Sequence, residues 1–164
     1  MVHMLIGIQG SGKTTFAKQL QKELNCEIAS TDYVRANYKD VKEADVFSMV
    51  YKMCSDALNN NKDIIYDATN ITPNVRKRFF DQMLNLNAIP IVGAYYFNTD
   101  VNVCFERVKE RNKKEGELYL PEEVVFSYHS KLIEPTFDEG FYFIKTINDG
   151  KVIEERINEE KYIN

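Results

Sequence analysis

Cysteine and histidine are scarce in this chain. There are three cysteines, Cys26, Cys54 and Cys104, and two histidines, His3 and His129. An odd cysteine count at no metal-ligand spacing excludes a disulfide framework and a zinc site, and reads as reduced thiols of a reducing compartment. Neither histidine has a cysteine or carboxylate at ligand spacing, so both read as structural or surface residues. Long apolar runs are missing too: no stretch approaches the ~18–20 residues needed to cross a bilayer, and no signal peptide opens the chain. The expected location is therefore cytoplasmic, with no membrane partner. An excess of positive charge is also lacking. Lys+Arg 21 against Asp+Glu 25 gives a net charge of -4, which excludes global attraction to phosphate backbones. A nucleic acid would have to be held by a local basic patch. No repeat, low-complexity tract or linker interrupts the 164 residues, so one domain over 1–164 is expected.

Apolar material is plentiful, at 44% of residues, and its period switches along the chain. Short apolar runs read as strands at Val2–Ile8, Cys26–Ala29, Ile64–Tyr66, Pro90–Phe97 and Phe141–Ile147. Stripes of helical period separate them. They run over Lys13–Leu24, Asp32–Tyr38 with Thr31 as cap, Asp45–Leu58, the segment after Thr72-Pro73, Asp100–Asn112 and Pro121–Leu132. In the helix after Pro73, Val75, Phe79, Met83 and Leu86 form the expected buried face. Asn148-Asp149-Gly150 is a turn signal, and Val152–Ile157 is expected to pair back as an edge strand. The charged tail Glu154–Asn164 reads as a frayed or edge element. This alternation predicts a three-layer α/β fold with a mostly parallel sheet of about five strands.

Between the first strand and the first helix stands Gly7-Ile8-Gln9-Gly10-Ser11-Gly12-Lys13-Thr14, which meets G-x-x-x-x-G-K-[ST] at every fixed position. Glycines allow successive N–H groups to turn toward phosphate oxygens, and the following helix offers its positive end to the same anion. Lys13 is placed to reach the β- and γ-phosphates, and the Thr14 hydroxyl to ligate Mg²⁺. Gly7, Gln9, Gly10, Ser11, Gly12, Lys13, Thr14 and Thr15 are the expected nucleotide contacts. The motif points to a nucleoside triphosphate, ATP with GTP possible, and to a P-loop fold, and does not say which reaction follows. A nucleotide switch or ATPase shares the motif, so the acceptor side has to decide the reaction.

That side begins after the second strand. Asp32 and Arg35, three residues apart on a helix start, put a carboxylate beside a guanidinium. A carboxylate accepts a hydroxyl proton and a guanidinium holds a phosphate bidentately, so a hydroxyl flanked by phosphate matches both. Asp67, Thr69 and Asn70 follow the third strand. Asp67 would hold Mg²⁺ through water or orient acceptor or P-loop groups, and Thr69 and Asn70 would line the acceptor pocket. Arg76, Lys77 and Arg78 form a basic cluster, either a solvated face or a guide for a nucleic acid backbone. Arg111, and after it Arg107, are the candidates for a lid over residues 107–120 that would place positive charge on the transferring phosphate.

In this order the motifs resemble the kinase domain of phage-type polynucleotide 5′-hydroxyl kinases and the small zeta-toxin-like ATP-binding kinases related to them. Gly7–Thr14, Asp32-x-x-Arg35, Tyr66-Asp67-Ala68-Thr69-Asn70 and Arg111-Asn112 carry the likeness, which runs from Leu5 to about Phe143. Pro121-Glu122-Glu123, Tyr128, Pro135 and Glu139-Gly140-Phe141 add to it. The resemblance implies Asp32 as general base, Arg35 on the acceptor's 3′-phosphate, and the 5′-OH end of DNA or RNA as substrate. One departure stands out. The family pattern Arg-Asn-x-x-Arg reads Arg111-Asn112-Lys113-Lys114-Glu115 here, so Lys114, or Arg107 with Arg111, would have to supply the second cation. Other acceptors remain open: a small metabolite, or a hydroxymethylated base in DNA. A switch without transferase activity is the reading from another class. No Asp-x-Asp phosphatase motif is present, so no 3′-phosphatase activity is expected.

Overall fold

The computed structural model describes residues 1–117 and 119–163. Leu118, inside the expected lid, and Asn164, the end of the expected tail, lie outside the described residues. Six strands form one sheet: β1 Val2–Ile6, β2 Glu27–Ser30, β3 Ile64–Asp67, β4 Val92–Phe97, β5 Phe143–Asn148 and β6 Lys151–Ile157. Their spatial order is β2-β3-β1-β4-β5-β6. The first five run parallel, and β6 pairs antiparallel with β5 through the turn at Asp149 and Gly150. The expected edge hairpin is thus the sixth strand.

Strand residues alternate between two cores because successive side chains leave a strand on opposite faces. Val2, Met4 and Ile6 of β1 join Ile64 and Tyr66 of β3 and Val92 and Ala94 of β4 in the larger core. That core is closed by α3 (Glu43–Asn59) and α4 (Pro73–Asn85). Leu5, Ile65, Tyr95 and Phe97 face the other way, onto Ala17 and Leu20 of α1 (Lys13–Leu24). A parallel sheet buried on both faces therefore reads as continuous apolar runs, as seen at all five positions of β1. A small third cluster joins Ile8 to Cys104 and Val108 of α5 (Val101–Asn112) and Val125 of α6 (Glu123–Lys131). It ties the loop after β1 to the last two helices.

Two local expectations change. Ser30, not Thr31, caps the short helix α2 (Thr31–Asn37), its hydroxyl accepting from Tyr33 N, while Thr31 is buried in the first turn. Leu86 is exposed beyond the end of α4, and Arg76 takes the buried place on that helix. At the other end, Thr72 caps α4 and Pro73 opens it, as predicted. His3 is structural: its buried ring lies between the Tyr95 hydroxyl at 3.0 Å and Asp63 at 2.9 Å. Burial lowers its pKa while Asp63 pulls the other way. The three cysteines are free thiols.

Candidate active site

The chain leaves β1 to build α1 and β2 on one side, and later crosses to β4 on the other. Such a switch point opens a crevice at the carboxyl ends of the strands, where ligands collect in sheets of this kind. A cleft of about 780 Å³ lies there. Its walls come from the loop after β1, the start of α2, the end of β3, α4, α5 and α6.

The loop is shaped by two left-handed glycines, Gly10 at φ 78 and Gly12 at φ 96. A Cβ on Gly10 would meet the Cys104 carbonyl at 2.5 Å, so loop and α5 touch only because the side chain is absent. Gly12 is the cap of α1, and Lys13 is its first residue. Gln9, Gly10, Gly12, Lys13, Thr14 and Thr15 line the cleft. Gly7 and Ser11, also expected at the nucleotide, do not line the cleft. The Gly7 N–H donates to Thr69 O at 2.9 Å, and the buried Ser11 hydroxyl donates to Ile8 O at 2.7 Å. They hold the loop's shape. Gln9 Oε1 is buried there without a partner.

Lys13 Nζ donates to Ile8 O at 2.9 Å. Burial lowers its pKa, opposed first by Asp67 and then by Asp32, while Arg111 adds to the lowering. Lysine, two carboxylates and arginine from four chain segments therefore share one field. Asp67, at the end of β3, is buried. Its pKa is raised by burial, held back by Lys13 and pushed further by Asp32. The Thr14 hydroxyl approaches Asp67 Oδ2 at 3.5 Å. Among the described residues no group of three or more His, Cys, Asp or Glu could hold a metal. The hydroxyl and carboxylate fit a Mg²⁺ whose other ligands are water and phosphate oxygens.

Asp32, the second residue of α2, also lines the cleft, with 76% of its side chain exposed. Arg35 donates from Nη1 to Asp32 Oδ1 at 3.0 Å, as the spacing predicted. The other edge of the same guanidinium is taken by Glu43. Arg35 Nε lies 3.1 Å from both Glu43 oxygens, and Nη2 donates to Glu43 Oε1. This fork lowers the Glu43 pKa and raises that of Arg35. Glu43 went unnoticed in the sequence, because nothing local joins it to Arg35.

The basic cluster at 76–78 is split by helix geometry, since successive residues turn about 100°. Arg76 is completely buried and does not line the cleft. Its Nε and Nη2 donate to Glu139 at 2.7 and 3.1 Å, and Nη1 donates to Asn70 O at 2.9 Å and Ile133 O at 3.0 Å. This corrects its expected place at the substrate: its donors already serve the interior, where it ties the β3–α4 turn to the segment after α6. Lys77 pairs outward with Asp81. Arg78 faces the cleft. Asp67, Thr69 and Asn70 all line the cleft, and Asn70 is also tied inward: with φ 49, its buried amide Nδ2 donates to Leu5 O at 2.9 Å.

Arg107 and Arg111, one turn apart on α5, both line the cleft. Arg107 Nη1 donates to Gly10 O at 3.2 Å, whereas Arg111 Nε is buried and unpartnered. Lys114 and Glu115 are exposed and away from the cleft, and Lys113 pairs with Glu110. Asn112 has a separate role: its amide both donates to Leu120 O at 2.6 Å and accepts from Leu120 N at 3.0 Å, joining the two ends of the intervening loop.

The fold is shared widely among solved structures. A sugar kinase from a Janibacter species is similar at 17% identity and TM-score 0.65, over 88% of this chain and 84% of that one. Kti12 of Chaetomium thermophilum, in complex with ADP-AlF3, is similar at 17% identity and TM-score 0.68, over 91% and 89%. A chain of the Pnkp1/Rnl/Hen1 RNA repair complex is similar at 22% identity and TM-score 0.67, over 80% of this chain and 43% of that one. No curated protein matches. A family model described as an AAA domain matches residues 2–135, and this chain, with its three-layer P-loop kinase fold, belongs to that family.

Proposed function

We propose that this protein is an ATP-dependent kinase that transfers the γ-phosphoryl group, with Mg²⁺, to a hydroxyl of a small acceptor. The observation that carries this reading is the convergence of Lys13, Arg111, Thr14 with Asp67, and Asp32 on one cleft from four chain segments. A nucleotide switch needs neither a carboxylate base nor a clamp for an acceptor. Asp32 takes the hydroxyl proton. The freed oxygen bonds to the γ-phosphorus as the bond to the β,γ-bridging oxygen breaks, and ADP leaves with that electron pair. Lys13 and Arg111 hold the charge spread over the transferring oxygens. Bound Mg²⁺, held by Thr14 and Asp67, would neutralise the β- and γ-oxygens. Residues 107–120 act as a lid within which the Asn112 amide is bonded to Leu120, and 1–164 works as one kinase domain.

A small acceptor is favoured over a nucleic acid end by the similarity to a sugar kinase over most of both chains, and by the net charge of -4. The second reading, transfer to the 5′-OH of DNA or RNA, draws on the Asp32–Arg35 pair at 3.0 Å and on the similarity to a chain of an RNA repair complex. Incubation with γ-labelled ATP and a panel of sugars, nucleosides and 5′-OH oligonucleotides separates the two. Label on a small alcohol and on no oligonucleotide is expected. Label on oligonucleotides alone would give the second reading, and label on nothing, with ATP bound, would refute both.

A further inference from the structure

Arg35 is the residue beside the proposed base, and its guanidinium is already committed. Nη1 is on Asp32, and the Nε–Nη2 edge, the one that would grip a phosphate with two parallel bonds, is filled by the Glu43 carboxylate. Glu43 thus occupies the seat that a phosphate next to the reacting hydroxyl would need. Two other cations line the same cleft, Arg78 of α4 and Lys131 at the end of α6. Neither has an ion-pair or hydrogen-bond partner among the described residues, unlike Lys77 beside Arg78, which pairs with Asp81 at 2.6 Å. Arg78 lies close enough to Tyr51, another cleft residue, to act on its titration. Lys131 is brought to the cleft by a specific contact: Ile133 N donates to Ile71 O at 2.9 Å, docking the end of α6 on the turn before α4.

We infer that Arg78 and Lys131 form the anion seat of the acceptor, and that Arg35 is a positioning residue for Asp32. The substrate class is then a small alcohol whose phosphate or carboxylate lies away from the hydroxyl that reacts. The inference rests on the kinase reading for its use, but the seat is tested by binding alone.

The test loads the P-loop with Mg²⁺ and a non-hydrolysable ATP analogue, then titrates inorganic phosphate by calorimetry. Failure of the analogue to bind would count against the kinase reading itself and is seen before phosphate is added. The loaded wild type should take up one phosphate. The pair Arg78→Ala, Lys131→Ala should weaken it about 10-fold or more, the loss typical of a charge-assisted contact. Arg35→Ala should stay within about 2-fold. A loaded protein that takes up no phosphate overturns the inference. So does a loss in Arg35→Ala as large as in the pair, and so does a pair that binds like wild type. Thermal unfolding of each variant identifies any that fails to fold, and Arg78→Gln with Lys131→Gln then replaces the alanine pair, keeping the side-chain length.

Discussion

At the nucleotide end of the cleft, the groups are set by backbone and burial. Gly10 and Gly12 shape the loop, Ser11 and Gly7 brace it, and Asp67 is buried beneath Thr14. At the acceptor end, the groups are exposed side chains held by one another: Asp32 by Arg35, and Arg35 by Glu43. The first arrangement is held by the packed backbone and by hydrogen bonds within the loop. The second is linked by ion pairs of surface side chains, worth ~0–1 kcal/mol each. One end of the cleft is thus built from the interior and the other from side chains that pair with one another.

Breaking the nucleotide end should have the largest effect. Arg111→Ala should lower kcat by ~10³-fold, as for an arginine acting on the transferring phosphate. Arg107→Ala should cost far less, because Arg107 already donates to Gly10 O. Single-turnover transfer of labelled phosphate measures both, and equal losses would reverse the assignment. Asp32→Asn should follow at ~10²-fold or more in kcat, with nucleotide affinity measured by calorimetry unchanged. Loss of nucleotide binding in that variant would make the two ends a single unit.

Arg76→Ala probes the support beneath the acceptor wall. It leaves Glu139 without its buried partner, and ~3–5 kcal/mol of stability should be lost in a denaturant titration. The pH dependence of the unliganded protein sharpens the contrast more gently. Burial raises the Asp67 pKa above the ordinary 3.8, so the folded state keeps this proton where the unfolded chain has released it. The resulting stabilisation is full below the unfolded value and is lost as pH rises through the folded one. Asp67→Asn should remove that slope from a plot of Tm against pH, and an unchanged slope would assign it to another group. Glu43→Gln should have the smallest effect, under ~1 kcal/mol of stability, detectable only as a small shift in Tm.

Much of the site was legible because its chemistry is local in the chain. Gly7–Thr14 is a contiguous loop, Asp32 and Arg35 are one helical turn apart, and Thr72-Pro73 caps its own helix. The misreadings share a cause. Arg76, Lys77 and Arg78 look alike in sequence, yet one is buried on Glu139, one pairs outward and one faces the cleft. Glu139 is 63 residues from Arg76, and no period or motif links them. Asp63 with His3 and Ile133 with Ile71 are distant in the same way.

Short-range order was therefore written in the residues themselves: strand and helix periods, the turn at Asp149-Gly150, the phosphate loop and the carboxylate of Asp32 beside Arg35. The assignment of each charge to a partner came from the way the sheet order β2-β3-β1-β4-β5-β6 folds remote segments onto one another. A charge buries, pairs or stays free according to which groups lie within a few ångströms of it, and that neighbourhood is a property of the packed chain.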